Sequence, residues 1–115
     1  MLTLIDQAFA DQQRQIANIL RELNIAVHRV GYKQLTIAIL RYKQDDTQSL
    51  TKEIYPYVAK CQGYSDWRAV EHSIRVSIMH AWNDRDPEVW VRYFPNQKRF
   101  PSNKQFIATI ADLLQ

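Results

Sequence analysis

Glycine occurs only 2 times, proline 4 times and cysteine once in the 115 residues of the chain. A fold of many short strands needs frequent turn-formers. Their scarcity, set against long stretches rich in Leu, Ile, Ala, Gln, Lys and Arg, argues against an all-β architecture and for helices. The lone Cys61 has no partner for an internal disulfide and no neighbouring thiol, so it reads as a small, partly buried residue of a protein from a reducing compartment. No apolar run approaches the roughly 20 residues of a membrane span, and Asp6 interrupts the N-terminus too early for a signal peptide. The expected location is therefore the cytoplasm. An excess of one charge sign is also lacking: 15 Lys+Arg against 12 Asp+Glu leave +3, which permits an anionic partner without demanding one. The length suits a single domain able to bury about two-thirds of its unfolded surface.

What is present is helical periodicity. From Thr3 to Leu23 the apolar residues Leu4, Ile5, Ala8, Phe9, Ile16, Ile19, Leu20 and Leu23 describe one helix. Asn24 can close it, and the β-branched Ile25, Val27 and Val30 predict an extended connector ending at Gly31. A second helix is expected through "YKQLTIAILRYKQ", with Asp45 and Asp46 at its end. Ser49 can cap a third, "LTKEIYPYVAKC", which Pro56 should bend by removing a backbone donor and which Gly63 ends. Asp66, or Ser65 beside it, opens a fourth helix reaching about Asn83. Pro87 suits the first position of a short fifth helix that turns Val89, Trp90 and Phe94 inward. Ser102 or Asn103 caps the last, whose expected buried stripe is Phe106, Ile107, Ile110, Leu113 and Leu114. With no repeat, low-complexity segment or linker, the expectation is a single all-α domain over residues 1–115 with six helices around one core.

The stretch "AKCQGYSDWRAVEHSIRVSIMHAW" carries the pattern of a helix-turn-helix, assigned to residues 48–83. Small Ala59 lets the helices approach, Gly63 makes the turn and β-branched Val70 locks the pair. Val70 falls one position late, so the turn is expected to be a residue longer than standard. Val70, Ile74, Ile78 and Ala81 form the inward stripe of the fourth helix. Arg68, His72, Arg75, Val76 and Met79 cluster opposite, within about a third of its circumference. Such a face suits a major groove: guanidiniums donate in pairs to guanine, imidazole donates or accepts, and Val76 can touch a thymine methyl. Glu71 can accept from cytosine or orient Arg75 one turn along. An ordinary solvated face has the same composition. The candidate base-reading set is thus Arg68, Glu71, His72, Arg75 and Val76, on a helix spanning about 66–83. Phosphate contacts are expected from Lys52, Lys60, Lys98, Arg99 and Lys104 near helix ends, and from Ser49, Ser65 and Ser102 at helix starts.

Other chemistry finds little support. His28, His72 and His80 have no Cys or carboxylate to complete a metal set, so no metal is expected. No Ser/His/Asp set, phosphate loop or buried acid pair argues for catalysis, a cofactor or a small-molecule substrate; Asp45, Asp46, Asp84 and Asp86 read as helix-end residues. Trp67, Trp82, Trp90, Tyr93 and Phe94 fall mostly on inward faces and read as core, with Trp67 and Tyr64 the most exposed, beside the turn.

Three stretches in the same order, "LTKEIYPYVAK", "VEHSIRVSIMHAW" and "PSNKQFIATIADLL", joined by "ILRELNIAVHRVGYKQLTIAI", resemble the C-terminal effector domains of the stage zero sporulation response regulators. The resemblance runs from about Ile16 to Leu114. It implies a six-helix DNA-binding domain whose third and fourth helices form the helix-turn-helix, and two copies in tandem on double-stranded DNA. The scaffold positions Val70, Glu71, Ile74, Arg75, Ile78, Ala81 and Trp82 match that family's recognition helix. Ala69, His72 and Val76 stand where the family has arginine, arginine and histidine, and Arg68 is placed to replace the first of these. Residues 1–15 form an extra N-terminal segment where the family has a phosphorylated receiver; the start "MLTLIDQAFADQQ" favours a standalone effector, with this segment capping the core or making a dimer contact. The expected function is a sequence-specific DNA-binding transcription regulator, acting as a homodimer or tandem dimer on DNA. The alternative, motivated by Ala69, His72 and Val76, is a receiverless interaction module that pairs with a full-length regulator without reading DNA.

Overall fold

Thr3 and Asp6 open the first helix with a reciprocal cap: the Asp6 N–H donates to Thr3 Oγ1 at 3.1 Å and the Thr3 N–H to Asp6 Oδ2 at 3.3 Å. From this start α1 runs over Leu4–Glu22. It ends at Asn24, whose φ of 66° is the left-handed conformation that asparagine tolerates. The computed structural model describes residues 3–115, apart from the side chain of Ile5, so Ile5 lies outside the comparison with the expected apolar face. The remaining helices are α2 (Val30–Gln44), α3 (Tyr55–Cys61), α4 (Trp67–Asn83), α5 (Pro87–Tyr93) and α6 (Asn103–Leu113). No strand occurs among the described residues, and the fold is an all-α single domain.

α2 is the axis of the domain, packing on α6, α4, α1 and α3. Its Leu35, Ala38, Ile39 and Leu40 are buried with Ile16, Leu20 and Leu23 of α1, Ile74 and Ile78 of α4, and Phe106, Ile107 and Ile110 of α6. α5 closes one end through Trp90, whose indole N–H donates to the Leu23 carbonyl at 3.1 Å while its ring meets Phe94 and Phe106. Tyr93 ties α5 to α1 by donating to Glu22 Oε2 at 2.6 Å; burial first, and that bond second, push its hydroxyl up to about 12.

Several local expectations give way to packing. The connector after α1 is built of turns, not extended chain, and α2 begins at Val30, so Gly31 lies inside its first turn. Of the three β-branched residues only Ile25 is buried; Val27 and Val30 are 68% and 51% exposed. The helix expected over 50–61 is divided: a π-helical turn at Leu50–Ile54, capped by Ser49, leads into α3. The change from the π-helical turn to α-helix falls directly before Pro56, which has no N–H to donate to a carbonyl one turn back. Leu113 is 47% exposed because Ala111 takes its place beside Ile110 and Leu114. Cys61 is exposed rather than partly buried, at the last residue of α3. The N-terminal segment is largely exposed among the described residues: Leu4 is 85% and Phe9 44% exposed, Ala8 is exposed, and full burial starts at Ile16. Phe9 instead lines a shallow groove with Ile37, Leu40 and Tyr57. No helix among the described residues is long and apolar enough to cross a membrane.

Gly31 is buried because α2 meets α4 there. A Cβ at this position would lie 2.8 Å from the Ser73 carbonyl oxygen and 2.9 Å from Ser77 Cβ, distances real side chains do not tolerate. Gly31→Ala is therefore expected to destabilise the domain by up to about 2.5 kcal/mol, an overpacking cost of about 1–3 kcal/mol less about 0.5–1 kcal/mol for the helix preference of alanine. Urea denaturation of the two proteins measures this difference.

Candidate nucleic-acid interface

The turn between α3 and α4 occupies residues 62–66, longer than the usual roughly three to four. Gly63 adopts φ 76°, and the chain reverses as the Tyr64 N–H donates to the Ala59 carbonyl at 2.8 Å. Ala59 and Val70 are both buried, as their assigned roles require. Asp66, not Ser65, is the cap, accepting from the Arg68 N–H at 2.9 Å. Trp67 is half-buried and stacks on Tyr55 of α3, ring centroids 6.0 Å apart, while Tyr64 is exposed at the turn.

A residue the pattern did not single out for this task holds α4 in place. Asn103, read from sequence as a possible cap, is buried; its Nδ2 donates to the Tyr55 hydroxyl at 3.0 Å and to the Glu71 carbonyl at 3.1 Å. Burial, more than its other surroundings, raises the Tyr55 hydroxyl above its ordinary pKa. One amide thus links α3, α4 and α6, leaving Ser102 to cap α6 by accepting from the Gln105 N–H at 3.1 Å. An asparagine directly after a capping serine was the available signal; its partners are 32 and 48 residues away in sequence.

Of the five residues expected to read bases, Arg68, His72 and Arg75 are exposed, and Glu71 and Val76 are half-buried. Arg75 is held on both sides: its Nε donates to Glu71 Oε1 at 3.1 Å, and its Nη2 meets His72 Nδ1 at 3.1 Å. Glu71 therefore takes the orienting role. Arg68 turns back to the helix start, where its Nε lies 3.2 Å from both Asp66 oxygens and its Nη2 3.1 Å from Oδ2.

The flanks of α4 differ. On the Glu71 side an open depression is lined by Thr51, Arg75, Arg99, Ser102, Asn103 and Lys104, so the capped start after Ser49 and the start of α6 border one space. Lys52 is exposed in the first of these turns. Lys98 is exposed in the loop before α6 but does not line that space, and Lys60 and Ser65 stand apart beside the turn. On the Ser73 side lie His28 and Arg29 from the connector and Val30 at the start of α2, which line a second depression with His72, Ser73 and Val76. No group of three or more His, Cys, Asp or Glu side chains fit to hold a metal ion occurs among the described residues.

An exposed, polar helix face presented by a glycine turn and bordered by cations and helix starts defines a helix-turn-helix domain of the DNA-binding class. Residues 16–114 match the family model described as Sporulation initiation factor Spo0A C terminal, and the chain belongs to that family. It is accordingly a DNA-binding effector domain of the sporulation response-regulator kind, concerned with transcription regulation.

Acid tests the cap of α4. The Arg68 side chain first, and its backbone N–H second, hold the Asp66 carboxyl below its ordinary 3.8. A lowered folded pKa confers stability that is complete above pH 3.8 and is lost as pH falls through the folded value. Asp66→Ala is expected to be less stable than the parent at neutral pH, with the gap narrowing on acidification below pH 3.8. Urea midpoints at stepped pH values check both parts.

Proposed function

We propose that the chain is a sequence-specific, double-stranded DNA-binding transcription regulator of the cytoplasm, with α4 laid in the major groove. The observation that carries this reading is the Glu71–Arg75–His72 cluster at the middle of α4. There an exposed guanidinium is already oriented by two neighbours on a helix of groove-filling width. Arg68, His72, Arg75 and Val76 meet base edges with Glu71 orienting Arg75, and Ser49, Lys52, Lys60, Ser65, Lys98, Arg99 and Lys104 meet phosphates. Support for the latter comes from the border formed by Arg99, Lys104 and two helix starts beside Arg75.

A net charge of +3 limits the electrostatic affinity of a single copy. Stable occupancy then requires two adjacent sites or a dimer, where the first binding event raises the effective concentration for the second. No catalytic step belongs to this role.

Anisotropy titration against genomic fragments at two salt concentrations tests the reading, with at least one fragment expected to bind well above random DNA at moderate salt. Binding to a full-length family member with no DNA bound at all is the outcome that would replace it with a protein-pairing role. On the preferred site, Arg75→Ala is expected to cost about 1–3 kcal/mol and to relax discrimination at one base pair. Lys104→Ala is expected to weaken all sequences alike and to lower the salt slope by about one. Equal losses for Arg75→Ala on specific and random duplexes would contradict its base-reading role.

A further inference from the structure

We propose that the connector between α1 and α2 forms a second phosphate-binding margin of the DNA interface, with Arg29 and Lys33 as its cations; this rests on the DNA-reading role of α4. The candidate phosphate contacts of the first margin, Arg99 and Lys104, border α4 on its Glu71 side. A helix about 10–12 Å across fills a major groove about 12 Å wide, so residues just beyond both of its flanks meet phosphates, one strand on each side. The Ser73 flank therefore needs cations too. Gly31 supplies the geometry. Its missing side chain lets the start of α2 sit on Ser73 and Ser77, which carries the preceding residues to the edge of the reading face.

His28 and Arg29 consequently share a depression with His72 and Val76, two of the residues assigned to base edges. The same margin continues toward the turn, where Arg29 and Lys33 line an adjoining depression with Tyr64 and Gln62. Arg29 and Lys33 are both exposed, and among the described residues neither enters an ion pair, whereas Arg68 and Arg75 on α4 are both paired with carboxylates. Arg29 occupies the cap position of α2 with extended backbone, and among the described residues its guanidinium, which has only donors, meets no side-chain or carbonyl acceptor. Val27 on the connector and Val30 at the start of α2, 68% and 51% exposed, offer apolar contact to deoxyribose rather than packing for the core. Phosphate is the chemistry that suits two unpaired cations at the rim of a base-reading helix.

The test uses the full chain and the best-bound duplex. Arg29→Ala and Lys33→Ala are each expected to weaken specific and random DNA by the same several-fold factor, and each to reduce the salt slope by about one, while Arg29→Lys retains the slope. Phosphate-ethylation interference is expected to show Arg29→Ala and Lys104→Ala losing sensitivity at phosphates on opposite strands of the groove. Thermal melts unchanged from the parent would exclude a folding defect as the cause. If the parent binds a specific fragment but Arg29→Ala and Lys33→Ala titrate as the parent does, with the same slope and interference pattern, the margin is refuted and the reading role stands. If the parent binds no fragment above random DNA, both fall.

Discussion

The closeness of α2 to α4 at Gly31 is the constraint on which the rest of the arrangement depends. Two helices can approach this tightly only where one presents no side chain, and here the backbone of Gly31 rests against Ser73 and Ser77. Because α2 also packs on α1, α3 and α6, its seat on α4 decides where the reading helix stands relative to every other element. Asn103 secures the opposite flank with two hydrogen bonds, one to α3 and one to the α4 backbone. The helix that would enter DNA is thus clamped from both sides, and the ordering cost of positioning it is met in folding, not on binding.

The charges on the exposed face are organised rather than simply solvated. Arg75 shares its guanidinium between Glu71 and His72, and Arg68 folds onto the Asp66 cap. Both are surface pairs that water and salt weaken, so a base edge or phosphate can compete for the same donors. A guanidinium held by one carboxylate still has free N–H groups in fixed directions, which favours selectivity over maximal attraction. The small net charge is consistent with that balance, since non-specific attraction grows with the number of phosphates neutralised.

Much of the fold was legible in sequence because its helices are long and strongly periodic. The inward stripe of Val70, Ile74, Ile78 and Ala81 is fully or nearly fully buried, as its spacing requires. Gly63 at the turn and the caps Ser49 and Ser102 could be read from residue type alone, since each performs a local task. The misreadings occur where two faces of one helix compete or where a partner must be supplied. Leu113 loses its place to Ala111, the apolar start of α1 stays exposed at Leu4 and Phe9, and Cys61 turns outward. Apolar periodicity identifies a face that can be buried; it does not say whether another element arrives to bury it.

By itself the sequence determined the helix count, the turn, the buried stripe of α4 and the residues opposite it, because these follow from spacing within one element and from residues that act on their immediate neighbours. The family pattern running from Ile16 to Leu114 was legible for the same reason, being carried by contiguous stretches. Only the tertiary structure decided what flanks α4: the His28–Arg29 connector on one side, Asn103, Arg99 and Lys104 on the other. The physical reason is that these neighbours come together through long-range packing. A missing Cβ at Gly31 and a buried amide at Asn103 juxtapose residues far apart in the chain, and no periodicity within a helix encodes that distance.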